Sequence, residues 1–342
     1  MDTSRFLLTA FLLAAAGCSS SSLSSSSRTQ TAFSQGGVKG AVTAGPPVKL
    51  SAANAGEGPA WLADTGRLLY VGNNRISSYH PSTGSADFRH PVKGANGLLI
   101  DGEGRIVCTE AGNRIVTRTN TDGAIQVLAR QFSGKPFNSP NDLSIDSKGR
   151  IYFTDPRYGK RDTMEQRDAS GQLIEGVYRI DPDGSVARIL GRDSVDRPNG
   201  ILVSPDEKTL YVADNNNTEG GTRKLWRFDL RPDGSVAPKS RRLVFDWKTA
   251  RGPDGLKIDS RGLLFVAAGL NADNPPHETS LPYPGGIYVL TREGRLREFI
   301  PIPTDEVTNC TFGGPDLRTL FITAGGSLWS VPLKHPGLGI NR

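Results

Sequence analysis

Apolar residues in this chain fall in short runs, and polar or glycine-rich turns separate the runs. The runs belong to a repeat that combines an acid or amide, a small residue, about four further residues, a turn and a short apolar strand. Six stretches follow this pattern, and they begin at Glu57, Asn96, Asn141, Asn199, Asp254 and Asn309. Because no segment shows sustained helical periodicity, the pattern indicates repeated β-strands.

Tandem repeats of short strands at this spacing are typical of a β-propeller. Six copies therefore predict an all-β, six-bladed propeller with four-stranded antiparallel blades. In the third repeat the predicted strands are Leu143–Asp146, Arg150–Thr154, Gly176–Ile180 and Ala187–Leu190. Outer strands of other repeats are predicted at Asp87–Val92, Ile125–Ala129, Arg241–Trp247 and Leu296–Ile302.

The last repeat shows only three strands, ending at Ser327–Leu333. We expect Val48–Leu50, just before the first repeat, to supply the missing strand. This pairing would close the ring and leave no free sheet edge in the last blade.

Equivalent positions in a propeller lie on a ring around one axis, so the six acid or amide side chains are expected to converge at one end of the channel. Two long loops, Asp155–Glu175 and Ala268–Gly285, emerge at the same end. Long loops above a ring of polar side chains form a walled pocket, where function usually resides. The repeat therefore predicts a combined metal and active site.

The chemistry of the ring indicates a hard cation. Glu57 and Asp254 carry two negative charges, and the asparagines offer neutral carbonyl oxygens. Oxygen donors without sulfur or imidazole suit calcium first, with magnesium, manganese or zinc as alternatives. At any single position an Asn or Asp could simply cap a turn, but six such residues in register favour a shared site.

Composition excludes one class of partner. The 342 residues carry a formal charge of +6, but the basic residues are scattered and form no basic run. Nucleic-acid binding is therefore not expected. Of the cysteines, Cys108 and Cys310 fall in different repeats with no spacing signature, so two buried free thiols are favoured over a disulfide.

The N-terminus has the pattern of a targeting segment, with Arg5 followed by the apolar run Phe6–Gly17, which is too short to span a bilayer. It resembles a bacterial lipoprotein signal, in which Cys18 becomes the lipidated N-terminus. Ala15 stands where such signals usually have Leu, so an ordinary secretory signal is the alternative. By the same resemblance, Ser19 is compatible with outer-membrane sorting, and we expect a periplasm-facing envelope protein.

These observations divide the chain into four parts. They are a signal peptide at 1–17, a flexible Ser- and Gly-rich tether at 18–44, the propeller at 45–335 and a C-terminal tail at 336–342.

Four motifs carry a family resemblance: GEGPAW, NSPND with the following TDPRYG, RPNG with SPDEKTLYVADN, and GPDGLKID. Together they resemble the gluconolactonase–regucalcin family of six-bladed propellers, from about Pro47 to Pro332. Animal members have an Arg where this chain has Ser139, and the NSPND form is similar to the bacterial gluconolactonase branch.

The resemblance implies a ligand set and a reaction. It implies that Glu57, Asn141, Asn199 and Asp254 hold a metal, commonly calcium. It also implies hydrolysis of a sugar lactone such as glucono-1,5-lactone, with the metal polarising the carbonyl and Asp254 acting as the base toward water. A pure ligand role for Asp254 is the alternative.

Further residues are candidates for contacts around the metal and substrate: Asn96, Asp142, Asp155, Tyr158, His277 and Asn309. Asp142 and Asp155 are expected to orient ligand amides, although strand-end capping is the alternative. Capping is the favoured role for Glu110 and Asp214. An exposed position is favoured for His277.

Two other functions use the same predicted site. One is hydrolysis of organophosphates or phosphoesters at the same calcium. The other is a non-catalytic envelope binding propeller in which calcium is a structural plug, because a fold alone establishes no reaction. The expected partners are a small lactone and, through the N-terminal lipid only, a membrane.

Overall fold

The computed structural model describes residues 37–339. In this part of the chain six four-stranded antiparallel sheets form the blades of a propeller, and no α-helix occurs. The predicted six-bladed fold is therefore confirmed. No helix among these residues is long and apolar enough to cross a membrane. The predicted signal peptide and Cys18 lie outside the described residues.

Each of the first five blades is built from four consecutive strands that run outward from the channel. Blade 1 is β2 (Glu57–Leu62), β3 (Arg67–Gly72), β4 (Arg75–His80) and β5 (Gly84–Arg89), and blade 2 is β6 (Ala95–Ile100), β7 (Ile106–Glu110), β8 (Ile115–Thr119) and β9 (Ile125–Ala129). A hairpin of β10 (Gln131–Phe132) and β11 (Lys135–Pro136) follows. Blade 3 is β12 (Leu143–Ile145), β13 (Ile151–Asp155), β14 (Gly176–Ile180) and β15 (Val186–Leu190).

The second half of the propeller repeats the arrangement. Blade 4 is β16 (Pro198–Val203), β17 (Thr209–Asn215), β18 (Arg223–Leu230) and β19 (Val236–Asp246), and blade 5 is β20 (Leu256–Ile258), β21 (Leu264–Ala268), β22 (Gly286–Leu290) and β23 (Leu296–Pro301). Blade 6 consists of β24 (Val307–Gly313), β25 (Thr319–Ala324), β26 (Ser327–Pro332) and β1 (Val48–Ala53).

The N-terminal strand closes the ring as predicted. β1 pairs antiparallel with β26, and Val48 lies opposite Ser330 in the register. The outer edge of blade 6 is thus covered by the other end of the chain. Next to this closure Trp61 of blade 1 stacks on Phe321 of blade 6, with ring centroids 5.6 Å apart.

The spaces between blades are filled by apolar side chains from facing sheets. Cys108 and Cys310 are buried in this packing and are free, so the favoured prediction for these cysteines is confirmed. The predicted outer strand Arg241–Trp247 is observed as the longer strand Val236–Asp246. Another predicted outer strand, Asp87–Val92, was misplaced, because the strand is Gly84–Arg89. Most of that strand is exposed, whereas Val92 is fully buried in the loop that follows, so the apolar signal pointed too far along the chain.

The segment before β1 is held on blade 5. The buried carboxylate of Glu298 accepts hydrogen bonds from the backbone N–H groups of Gly40, Val42 and Thr43, at 2.8, 2.6 and 3.0 Å. Val42 is 2% exposed and packs among core residues of blades 5 and 6. The last residues of the expected tether are therefore fixed on the propeller, while the domain boundaries stay predictions.

Removing β1 is expected to destabilise the whole propeller. A chain that starts at residue 54 loses the β1–β26 hydrogen bonds, each worth about 0.5–1.5 kcal/mol, and exposes the edge of β26. We expect a clearly lower midpoint of thermal unfolding by calorimetry than for a chain that starts at residue 37. Equal midpoints would show that β1 does not close the ring in solution.

Candidate metal centre and active site

The six ring residues come together because the inner strands approach closely at this end of the channel. In four blades the residue after the ring position is glycine: Gly58, Gly97, Gly200 and Gly255. A Cβ atom at Gly58 would lie 2.1 Å from the carbonyl oxygen of Asn96, and one at Gly255 would lie 2.0 Å from Cγ of Asn309. Only glycine fits such contacts, which explains the small residue in the sequence repeat.

Glu57 links the first and last blades. Its Oε2 atom accepts hydrogen bonds from Nδ2 of Asn309 at 3.2 Å and from the N–H of Gly58 at 3.1 Å. Loss of solvation, followed by repulsion from the Asp254 and Asp142 carboxylates, raises the pKa of Glu57 well above its usual range. Three carboxylates therefore share one poorly solvated space on the axis.

The amide of Asn199 is oriented by a tyrosine. Its Nδ2 atom donates to the hydroxyl of Tyr158 at 2.9 Å, and that hydroxyl donates to the carbonyl of Asn215 at 3.0 Å. The guanidinium of Arg197 lies 5.3 Å from the centre of the Tyr158 ring. Because the tyrosine proton is used on Asn215, the amide nitrogen must face the tyrosine and the amide oxygen must face away from it.

The amide oxygens of three ring residues, Asn96, Asn141 and Asn199, lack hydrogen-bond partners among residues 37–339. Asn141 and Asn199 are 9% and 4% exposed, and Oδ1 of each has no hydrogen bond within residues 37–339. A buried, unpaired oxygen is costly unless an electropositive group faces it. Two such oxygens beside the carboxylates of Glu57 and Asp254 form an oxygen-only donor set that fits a hard divalent cation.

The donor set explains why acidic residues alone do not reveal this site. Within the described part of the chain, no group of three or more His, Cys, Asp or Glu is placed to hold a metal. The ring instead mixes two carboxylates with amides.

Asp254 has a partner that the sequence analysis missed. Nη2 of Arg251 donates to Oδ2 of Asp254 at 2.7 Å, and Nη1 donates to the carbonyl of Val307 at 3.4 Å. Burial raises the pKa of Asp254, and the charge of Arg251 opposes that rise. The sequence contains a signal for this contact, because Arg251 stands three residues before Asp254 in RGPDG, directly before the family motif that begins with GPDG.

Other predicted residues take different places around the ring. Asp142 is 2% exposed, its Oδ1 atom accepts from the N–H of Leu143 at 2.8 Å, and its Oδ2 atom has no partner among the described residues. Burial raises its pKa, and Lys257 opposes that rise. Oδ1 of Asn96 is also unpaired there. The roles of Asn96, Asp142 and Asn309 at a bound metal stay predictions.

Two of the candidates make contacts away from the ring side chains. Asp155 accepts hydrogen bonds from the backbone N–H groups of Asn138 and Ser139, both at 2.8 Å. His277 lies in the loop between β21 and β22, and its backbone carbonyl accepts from Arg223 at 3.1 Å. A catalytic role for the His277 ring stays a prediction.

Beneath the ring the central channel widens into a cavity of about 1000 Å³. Inner-strand residues of all six blades line it, most of them apolar, including Leu98, Leu143 and Ile201. These three each follow a ring position by two residues, and the cavity extends to turns at the opposite end of the propeller, such as Gly66 and Pro315. The ring therefore has an apolar floor on one side and the long loops on the other.

The sequence matches a known family and two curated relatives. The family model described as SMP-30/Gluconolactonase/LRE-like region matches residues 55–326. The gluconolactonase of Zymomonas mobilis is 31% identical over 82% of this chain and 79% of its own length. A pentonolactonase of Haloferax volcanii is 27% identical over 79% of this chain and 81% of its own length.

Solved structures share the fold. A gluconolactonase from Xanthomonas campestris superposes with a TM-score of 0.68 and 31% identity, covering 84% of this chain and 89% of that one. Regucalcin from Agrobacterium tumefaciens, described as a calcium-binding protein, gives a TM-score of 0.66 at 18% identity, covering 88% of this chain and 98% of that one. The second likeness shows the fold alone.

Replacing Tyr158 with Phe is expected to weaken metal binding. The variant leaves Nδ2 of Asn199 unpaired and lets the amide rotate, and loss of a group that orients a ligand typically costs 10–100-fold in metal affinity. Terbium luminescence titration, with calcium in competition, measures this change. Tyr283→Phe, on the other long loop, is the matched control and should keep the wild-type affinity. Equal affinities for both variants would contradict the orienting role of Tyr158.

Proposed function

The chain belongs to the SMP-30/Gluconolactonase/LRE-like family, and we propose that it hydrolyses sugar lactones such as glucono-1,5-lactone in a reaction that depends on a divalent metal. The observation that supports this proposal is the set of two carboxylates and two unpaired amide oxygens at the loop end of the channel. Relatives named gluconolactonase and pentonolactonase support a lactone as the substrate class.

Glu57, Asn141, Asn199 and Asp254 would hold the metal. Calcium is the preferred ion because all four donors are oxygens and two are charged, with magnesium, manganese or zinc as alternatives. A divalent cation held by these residues would supply Lewis-acid polarisation of the lactone carbonyl.

We propose that Asp254 takes a proton from the attacking water and returns it to the ring oxygen of the lactone. Arg251 holds Oδ2 at 2.7 Å and orients the carboxylate, and we assign to Oδ1 the role of accepting a proton from the attacking water. The water oxygen forms the new bond to the carbonyl carbon, and the bond from that carbon to the ring oxygen then breaks. Returning the proton from Asp254 to that ring oxygen yields the hydroxyl group of the aldonic acid and restores the carboxylate.

Binding of the sugar is assigned to the loop end of the ring. There Tyr158 already fixes Asn199, and the loop between β13 and β14 carries it. The carboxylates of Glu57 and Asp254 are poorly solvated, and loss of solvation is the main reason why their pKa values are raised; poor solvation strengthens electrostatic interactions at the ring.

Hydrolysis of glucono-1,5-lactone tests this proposal directly. The purified protein is stripped of metal and then supplied with calcium, magnesium, manganese or zinc, and acid release is followed above the spontaneous rate. We expect a divalent ion to restore activity. Asp254→Asn should lower kcat by at least about 100-fold, the range of a lost general base, and the exposed turn variant Asp183→Asn should not.

The same assay separates the alternatives. A strong preference for phosphotriesters over lactones would reassign the substrate class. Metal binding without turnover of any lactone or phosphoester would indicate a binding protein. Full activity after chelation would refute the metal dependence.

We also propose that Cys18 is lipidated and that the protein faces the periplasm from the outer membrane. The apolar run that ends in Ala16-Gly17-Cys18 supports this placement. Metabolic labelling with palmitate should mark the wild-type protein and the buried-thiol variant Cys108→Ala, but not Cys18→Ala. Labelling of Cys18→Ala would refute the anchor.

A further inference from the structure

Two buried aspartates occupy the same place in neighbouring blades. Asp155 ends β13 in the sequence FTDP, and Asp214 lies near the end of β17 in VADN. Their exposed fractions are 0% and 1%. Both lie at the ring end of the propeller, in the blades that provide Asn141 and Asn199.

Each aspartate holds the backbone just before an amide of the ring. Asp155 accepts from the N–H groups of Asn138 and Ser139 at 2.8 Å each. Asp214 accepts from the N–H of Arg197 at 2.7 Å and from the N–H of Asp196 at 3.0 Å. In both blades the bonded N–H groups belong to the residues three and two positions before the asparagine.

A proline fills the remaining position in both blades. Pro140 precedes Asn141, and Pro198 precedes Asn199. Proline has a fixed φ and no N–H group, so the backbone between the aspartate contact and the asparagine has little freedom to rotate. The aspartate and the proline together therefore fix where each amide side chain starts.

The other blades show that this is not a general property of the propeller. The corresponding strand-end residues are Gly72, Glu110, Ala268 and Ala324. Glu110 is equally buried, but it accepts from the side chains of Arg89, Thr117 and Asn113, at 2.6, 2.7 and 2.7 Å. In blade 5 the acid of the ring is held directly, by Arg251.

The arrangement is costly. Burial raises the pKa of Asp155 to about 7 and that of Asp214 to about 6, with the backbone hydrogen bonds opposing the rise. An uncharged side chain could cap a turn without this cost. A neutral amide also binds a cation less strongly than a carboxylate does. An amide ligand therefore adds most to the affinity for the metal when its oxygen is already held in position before the metal binds.

We propose that Asp155 and Asp214 are positioning residues that fix the two amide ligands of the metal, Asn141 and Asn199, by clamping the backbone before each. The inference rests on the ligand set of the proposed function. It assigns to these acids a role in metal retention that strand-end capping alone does not include.

Metal affinity of isosteric variants tests the clamp without any catalytic assay. Asp155→Asn and Asp214→Asn keep the shape of the side chain but place an amide nitrogen against an N–H donor. At position 155 this donor is a backbone N–H, and at position 214 it is the N–H of Asp196 or Nε1–H of Trp226. We expect each to weaken terbium binding by the tenfold or more typical of groups that support a ligand. Glu110→Gln makes the same chemical change at the same strand end and should stay within about twofold of wild type.

Two further readouts separate positioning from stability. The first readout is the midpoint of thermal unfolding of the metal-free protein. If the aspartates were purely structural, the variants would unfold at a lower temperature, but the folded protein would bind terbium with unchanged affinity. At saturating calcium the Asp variants should recover the wild-type kcat, since their defect is in holding the ion. If an Asp variant does not fold, Pro140→Ala loosens the same segment and should also weaken terbium binding.

The outcomes distinguish this inference from the proposed function. Unchanged affinity in both folded Asp variants, or an equal loss in Glu110→Gln, would overturn the clamp. Tight terbium binding by a wild-type protein that hydrolyses no lactone would overturn the function and leave the clamp standing. A wild-type protein that binds no terbium would remove the ligand set, and both proposals would fall with it.

Discussion

The close approach of six inner strands at one end of the channel is the constraint on which the site depends. Backbone packs against backbone there, as in the 2.8 Å hydrogen bond from the N–H of Gly97 to the carbonyl of Asn141. The same carbonyl oxygen lies 2.7 Å from where a Cβ of Gly97 would be. With the ring this narrow, side chains at the six repeat positions must face a common axis, so the ring of donors follows from how the blades close.

Closing the ring concentrates charge that the protein offsets only in part. Besides burial, the Asp254 and Asp142 carboxylates raise the pKa of Glu57, and Asp142 raises that of Asp254. Arg251 opposes the rise at Asp254, and Lys257 opposes the rise that burial causes at Asp142. Three acids against two bases leave the axis with excess negative charge when all are ionised. The excess negative charge and the unpaired amide oxygens both favour a bound cation. The two arguments are independent, because the charge acts over a long range and a missing hydrogen bond is a local cost.

Much of this architecture was predictable because it repeats. In blade 3 the predicted strands differ from the observed ones by no more than one residue at any end, and Gly176–Ile180 is identical. A strand at Val48–Leu50 was expected because the last repeat was one strand short, and the observed strand is Val48–Ala53. Repetition gives the position of a residue in its blade, and in a propeller that position also determines where it lies relative to the axis.

The partners of the ring residues were not predictable in the same way. Tyr158 and Asn199 are 41 positions apart. The aspartate contact to the backbone occurs in blades 3 and 4, but the corresponding strand ends of the other blades have Gly72, Glu110, Ala268 and Ala324. These contacts depend on how individual loops fold over neighbouring strands. Asp155 and Asp214 were visible as strand-end acids, but whether they bond side chains or backbone is decided by side-chain length and loop path, as the contrast with Glu110 shows.

The pairing of β1 with β26 also determines when the fold can be completed. During synthesis from the N-terminus, β1 is made before the other strands of the propeller and β26 after them, so blade 6 is assembled from the first and last strands of the domain. The five blades between them can form as they emerge, but β1 must wait without its partner until β26 has been made. During that interval its backbone is an open strand edge, and the last step of folding joins sequence-distant segments, a class of contact that forms slowly.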